Sequence, residues 1–414
     1  MTFQCSCQRQ SVGSFSHDTP SVAAAAVIQQ LRVNAVRQRH RWQADTARAR
    51  SGAQCEPRHS SVEAIQASLD MKEVFVKQLR VGLIGAGGIA GVHIAGWQHL
   101  GAHITIYSRS GAADLVREYG IDEVRTLDAL LAASDMVSIL TPTPSHHHYA
   151  MAAIAAGKDV ICEKPLAENT ARSVEIANAA RAADVRIFPA HVVRFFPEYV
   201  AAKSDVEQGT THTPAVLRLS RSSAGPADGS WFYNEGIGGG IIHDQMIHDI
   251  DQARWLAGEV AKVHAVQNPP SVDGILPRPV TAAVTLTHES GAVSHLRGEW
   301  GPDSLPFSTS ISIEATDGTI VFARPAGKDG PAAENEPGDY LPVQAVATSP
   351  YTLQNAEFAA AHSSGAPARV TAYDGVMAVA LAEAAYASIA LGAPVDFSAA
   401  EVKALLVGGE LPQV

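Results

Sequence analysis

Two short clusters of this chain carry side chains able to move protons. In the first, Glu163-Lys164-Pro165 closes the apolar run Asp159-Val160-Ile161-Cys162. An amine at the end of a strand can reach a bound hydroxyl, and partial desolvation lowers its pKa enough for proton transfer. The same lysine is equally a surface residue before a turn proline. In the second cluster, Asp244 and His248 stand at i and i+4 on one face of an expected helix over 241–257, opened by Gly238-Gly239-Gly240 and ended by Gly258. Imidazole titrates near neutrality and both takes and gives a proton. Asp244 can orient that ring or hold a neighbouring hydroxyl. An Asp/His pair at this spacing is also an ordinary surface ion pair. Asp251 falls three residues past His248. Consecutive helical positions diverge by about 100°, so His146-His147-His148 cannot ligate one ion. No metal is expected, and His146 keeps only a minor role beside the cofactor.

The elements that position these groups begin with Gly85-Ala86-Gly87-Gly88-Ile89-Ala90, straight after the strand-like run over 79–84. A glycine turn between strand and helix suits a dinucleotide pyrophosphate. Gly85 makes the turn, Gly87 lets the backbone approach the phosphates, and Ala90 packs closely. The anion then meets free N–H groups at the helix N-terminus. A second strand, 103–107, ends in Ser108-Arg109-Ser110 where an acid would bind the adenosine ribose. Ser108 can donate to a phosphate, and Arg109 can pair with it or stack on adenine, so NADP is favoured over NAD. Arg109 is alternatively a solvated charge. A further strand, 135–140, runs into Thr141-Pro142-Thr143-Pro144, expected to be extended. Ser145 is expected to cap a helix stopped by Gly157.

Alternating strands and helices from 79 to 190 argue for a parallel sheet with helices on both faces. From 191 onward the β-rich runs 215–221, 282–287, 292–299, 309–315 and 319–323 suggest antiparallel hairpins. Trp231-Phe232-Tyr233-Asn234 is a candidate substrate loop, its aromatics suited to sugar C–H faces, and is equally a piece of aromatic core. Arg194 either contacts substrate or pairs with Glu198. Thr371-Ala372-Tyr373-Asp374 has the form of a capping box opening the last long helix. Residues 325–342 read as an exposed loop.

These pieces resemble the glucose–fructose oxidoreductase/inositol dehydrogenase/rhizopine-catabolism (Gfo/Idh/MocA) family. The resemblance rests on the glycine turn, Thr141-Pro142-Thr143-Pro144-Ser145-His146, Ala156 to Ala167 around Glu163-Lys164-Pro165, His191-Val192-Val193-Arg194-Phe195-Phe196-Pro197, and Gly238 to Asp251. It implies an α/β fold: a doubly wound Rossmann domain, then an α/β domain with an open, mostly antiparallel sheet. It implies that Lys164 and His248 are catalytic with Asp244 as partner, and that the Lys164–Pro165 bond is often cis. Departures are Ser108, where many NAD-using members carry an acid, and His243, where members more often carry an apolar residue. Motifs and resemblance together assign cofactor contacts to Gly85, Gly87, Gly88, Ile89, Ala90, Ser108, Arg109, Thr141, Pro142, His146, Glu163 and Lys164. Substrate contacts fall to Lys164, Arg194, Trp231, Asp244 and His248. The implied reaction is hydride transfer between NAD(P) and a secondary alcohol of a sugar, inositol or polyol. An NAD-dependent glycoside hydrolase and a ligand-sensing regulator are the other readings, and a homodimer or homotetramer is implied.

Bulk properties agree. With 414 residues the chain has room for two domains, and 46% hydrophobic residues suffice for a sizeable core. A net charge of −11 argues against a nucleic-acid partner. No apolar run is expected to serve as a membrane span of ~18 residues, 376–391 being interrupted by Glu383. Four cysteines, three of them before residue 56, form no disulfide framework and suit a reducing cytoplasm. Residues 1–70 carry eight Arg, no Lys and five acids. They read as a disordered extension and an over-extended start, Met71 being the natural one. Residues 71–190 then form the dinucleotide domain and 191–414 the substrate and oligomerisation domain.

Overall fold

The computed structural model describes residues 79–208, 214–317, 320–324 and 346–406. The readings of residues 1–70 and of the 325–342 loop lie outside these. The first sheet contains β1 (Arg80–Ile84), β2 (His103–Tyr107), β3 (Asp122–Glu123), β4 (Met136–Ile139), β5 (Asp159–Glu163) and β6 (Ile187–Ala190). Its connections include α1 (Ala90–His99), α2 (Ala113–Tyr119), α3 (Leu127–Ala133), α4 (His146–Ala155) and α5 (Thr170–Ala182). Strand order is β3-β2-β1-β4-β5-β6, all parallel. Val81, Leu83, Met136, Ile139, Val160 and Ile161 have no exposed surface, as strands covered on both faces require. The order reverses between β1 and β4. The crevice at that switch lies outside the carboxyl ends of the strands, where the Gly85 turn, Thr141 and Lys164 all emerge.

The remaining elements are α6 (Pro197–Gln208), β7 (Pro214–Ala224), α7 (Ile247–Ala257), β8 (Val260–Asn268), β9 (Val280–His288), β10 (Val293–Gly301), β11 (Ser308–Ala315), β12 (Ile320–Arg324), α8 (Pro350–Ser364), α9 (Ala372–Leu391), β13 (Val395–Asp396) and α10 (Ala399–Ala404). The second sheet has the order β12-β11-β7-β10-β9-β8-β13. Only β7 and β10 pair in parallel; every other pairing is antiparallel. Leu217, Leu219, Val263, Val284, Leu286, Leu296 and Ile313 face a core shared with Ile250, Ala253, Leu256 and Leu381 of α7 and α9. The alternate residues Arg218, His264, Val266, Ala283, His295 and Arg297 face outward and are exposed. Strand β8 escapes the sequence reading because its outward Val266 is apolar and breaks the alternation that Lys262 and His264 begin.

Three local expectations need correction. Ser145 does not cap α4: its Oγ donates towards Thr141 Oγ1 and the Pro142 carbonyl, both at 2.8 Å, and Thr143–Ser145 forms a 3₁₀ turn rather than an extended loop. Residues 241–257 are not one α-helix, since Ile242–Met246 is a π-helical turn feeding α7. Helix α9 does have the length and hydropathy of a membrane span, yet 11 of its 20 residues are buried against β8, α5 and α7. The capping box at its start is present: Thr371 accepts from the Asp374 N–H, and Asp374 accepts from the Thr371 N–H.

The C-terminal helices also return to the first sheet. Phe358, Ala359 and Val370 share a core with Val81, Ile94 and Trp97. Val376, Val379 and Val402 share one with Val137, Val160 and Ile176.

Candidate active site

The glycine turn has the geometry of a phosphate cradle. Gly85 sits at φ +108°, where an added Cβ would come 2.7 Å from the Leu140 carbonyl oxygen. A Cβ at Gly87 or Gly88 would meet nothing within 4 Å, so the turn is open on its outer side. No side chain caps α1, which leaves its first N–H groups to an anion, and Ala90 is fully buried behind them. The cradle therefore fits a dinucleotide. At the end of β2, Ser108 Oγ lies 3.2 Å from Ser110 Oγ. Arg109 is exposed and has no ion-pair partner among the described residues.

Lys164 lies across the crevice from that turn, and its bond to Pro165 is cis. The Lys164 Nζ donates to Asp244 Oδ1 at 2.9 Å and to the Asp244 carbonyl at 2.7 Å. The pair joins the C-terminal edge of the first sheet to the π turn of the second half. His248 lies one turn along and is 6% exposed. Its pKa is well below the ordinary value, chiefly through burial and further through the positive charges of Lys164 and Arg221. The ring is thus neutral at physiological pH and able to accept a proton.

The glycine run makes this meeting possible. A Cβ on Gly238 would lie 2.8 Å from Thr143 Cγ2 and 2.9 Å from Glu168 Cα. One on Gly239 would lie 2.6–2.9 Å from the carbonyl oxygens of Asn234, Phe232 and Trp231. One on Gly240 would run into the Tyr386 hydroxyl. The π turn is held from below by the fully buried Gln245, which accepts from Ser223 Oγ at 2.9 Å and donates to the Arg221 carbonyl at 2.8 Å. π turns recur at functional sites because they displace a side chain from its α-helical direction.

Several expected contacts fall elsewhere. Arg194 is not a substrate ligand. It is 1% exposed and donates to both Asp251 carboxylate oxygens (2.6 and 2.8 Å) and to the Arg369 carbonyl, with Asp374 at 3.1 Å. It does not pair with Glu198 in this arrangement, and Asp251 serves Arg194 rather than His248. Asp244 is committed to Lys164 instead of the imidazole, whose Nδ1 has no hydrogen-bond partner among the described residues. His146 presents no edge to a cofactor: it is buried, with its ring nitrogens turned to the carbonyls of Pro165 (2.8 Å) and Thr141 (2.7 Å), and it braces the loop between them. Its neighbours diverge, His147 towards Glu175 and His148 against Tyr149. Among the described residues no group of three or more His, Cys, Asp or Glu could hold a metal. Trp231 is half-buried and stacks on Phe232 with ring centroids 4.1 Å apart. Sequence reasoning missed His93 and Gln245, because neither spacing nor neighbours show which way a polar side chain points.

Comparison with known proteins supplies the lineage. Residues 79–191 match the family model for the Gfo/Idh/MocA oxidoreductase family, NAD-binding Rossmann fold, and residues 199–321 match its C-terminal domain model. An inositol 2-dehydrogenase of Rhizobium meliloti is 30% identical, the match spanning 75% of this chain and 97% of that protein. The chain belongs to the Gfo/Idh/MocA family. A D-apiose dehydrogenase of Paraburkholderia graminis is 27% identical over 80% of this chain and 92% of its own length. A solved probable dehydrogenase from Thermotoga maritima superposes with a TM-score of 0.66 at 25% identity, covering 78% of this chain and all of that one. Like other Gfo/Idh/MocA members, the chain is an oxidoreductase with an NAD-binding Rossmann domain.

Proposed function

We propose that this enzyme oxidises or reduces a secondary alcohol of a sugar, inositol or related polyol. The observation that carries the reading is the junction of a fixed amine, Lys164 on Asp244, with a neutral buried imidazole, His248, in the crevice that also holds the phosphate cradle. Bound there, the nicotinamide supplies the acceptor or donor of hydride. In the oxidative direction His248 takes the hydroxyl proton, and in reduction it returns it. Lys164 donates a hydrogen bond to the reacting oxygen and stabilises the charge that develops on it. Asp244 holds Lys164 in place. Trp231 offers an aromatic face to the C–H side of the ring. The relatives named for inositol and apiose support a polyol substrate.

The experiment is a screen of inositols and sugars, read by nicotinamide absorbance with NAD and NADP separately. Net reduction of the nucleotide supports the proposal. Glycoside cleavage without net reduction would replace it with hydrolysis, and ligand binding without turnover would replace it with sensing. Lys164→Met and His248→Asn are expected to lower kcat by about 10²-fold or more while nucleotide binding survives; near-normal turnover in both would remove the assignments.

The exposed Arg109 beside Ser108, with no ion-pair partner among the described residues, supports NADP as the preferred nucleotide. Ser108→Asp is expected to move the kcat/KM preference toward NAD, since a carboxylate repels the 2′-phosphate and accepts from the ribose hydroxyl. An unchanged ratio would place nucleotide selection elsewhere. The open outer face of the second sheet supports assembly into a homodimer or homotetramer.

A further inference from the structure

Behind the site lies a buried acid–imidazole pair for which the proposed chemistry has no use. Glu163, the last residue of β5, receives a hydrogen bond from the His93 Nε2 at Oε1 (3.0 Å), while its Oε2 accepts the Lys164 backbone N–H at 3.2 Å. His93 lies in the first turn of α1, the helix whose N-terminus forms the phosphate cradle, and is 0% exposed. Its ring packs edge-on against Tyr351 of α8, with centroids 5.5 Å apart. The carboxylate thus has one oxygen tied to the cofactor helix and the other tied to the peptide that carries the reactive amine.

Such a pair is an expensive way to fill space. Removing two polar groups from water costs several kcal/mol, and apolar side chains of similar volume often hold a fold as well. Burial alone would push the Glu163 carboxyl up, yet the His93 bond and the nearby charge of Lys164 hold it below its ordinary value, so it stays ionised. Paired groups of this kind concentrate at functional sites.

We infer that His93 is a positioning residue: by gripping Glu163 it fixes the Lys164 backbone, and with it the amine that reaches Asp244. The cofactor helix and the lysine loop then move as one body. Displacing a reacting group by about 1 Å costs on the order of 10²-fold in rate, so a hydrogen bond one residue removed from Lys164 is enough to govern turnover. His93 touches neither substrate nor reacting atoms. The inference rests on the reading of Lys164 as the catalytic amine.

The test compares His93→Leu, which removes the donor, with His93→Gln, which returns an amide N–H near the place of Nε2. Folded enzyme is counted by titration with NADH, following its fluorescence. With a substrate returned by the screen, His93→Leu is expected to lose about tenfold or more in kcat per folded site, with KM and the NADH Kd within about twofold. His93→Gln is expected to recover most of that loss. A readout needing no substrate is trace acetylation with acetic anhydride, followed residue by residue by mass spectrometry. Lys164 is expected to react at least about threefold faster, relative to Lys158, once its backbone is released. Unchanged kcat and unchanged Lys164 labelling in His93→Leu would overturn the inference, as would a loss that His93→Gln fails to recover. Should His93→Leu not fold, Glu163→Gln is expected to show the same loss in kcat per folded site and the same faster labelling of Lys164, and wild-type values of both overturn the inference. Lys164→Met separates the two readings. If it is inactive while His93→Leu turns over normally, only the role of His93 fails; if it is active, the assignment of Lys164 fails first.

Discussion

At the scale of single residues, the site depends on which charges are paired and which groups stay neutral. His243 shows the second case. It is 3% exposed, neither ring nitrogen has a hydrogen-bond partner among the described residues, and the ring lies 5.2 Å from that of Tyr386. Burial lowers its pKa to about 4. Because the unfolded chain binds a proton there more readily, the folded state is favoured fully above the unfolded value near 6.5. That advantage drains away as the pH falls toward 4. At about 1.4 kcal/mol per unit the loss from this one ring is on the order of 3 kcal/mol. His243→Leu is therefore expected to flatten the fall of Tm between pH 6.5 and 4.5 while changing it little at pH 7.5. Parallel Tm curves for the two proteins would show that the ring does not titrate in this way. The types and spacing of Lys164, Asp244 and His248 mark them as candidates, and only the family resemblance, not the spacing, assigns them roles. Their partners were not legible: Asp244 and Asp251 are equivalent neighbours of His248 in sequence, and only packing sends one to Lys164 and the other to Arg194.

At the scale of elements, the glycine run and the π turn decide where Asp244 points. Gly239 has no room for a side chain, because three loop carbonyls surround it and backbone cannot swing aside as a flexible side chain would. Gly239→Ala is expected to displace the Trp231–Asn234 loop, raising substrate KM about tenfold or more while leaving the NADH Kd near wild type. An unaltered KM would mean that the loop stands apart from the substrate. Helix starts and stops were readable where the signal is local, as with Thr371 and Asp374 at α9 and Gly157 after α4. The π turn was not readable, since the sequence shows the same spacing whether the turn holds four residues or five. What fixes it is Gln245 bonding to β7 across the core. The parallel pairing of β7 with β10 was hidden for a similar reason: alternation marks a strand but not its neighbour.

At the scale of the whole molecule, buried charge ties together distant segments of the second half of the chain. Arg194, from the segment after β6, binds Asp251 of α7 and Asp374 of α9, and Arg254 of α7 joins the same Asp374 at 2.6 Å. The two arginines hold the Asp374 carboxyl far below its usual range against the opposing effect of burial. Removing one partner of such a network leaves uncompensated charge inside and typically costs about 3–5 kcal/mol. Arg194→Ala is expected to lower stability by that order in denaturant titration, with substrate KM unchanged in the fraction that remains folded. A rise in KM at full stability would restore the substrate role that burial argues against.

Helices α8, α9 and α10 seal apolar flanks of a sheet whose strands all precede residue 191. A ribosome emits that sheet well before the segments that cover it. The nucleotide-binding half must therefore wait, greasy side outward, until almost the whole chain has left the tunnel, and its final consolidation belongs to the last stretch of translation rather than the first.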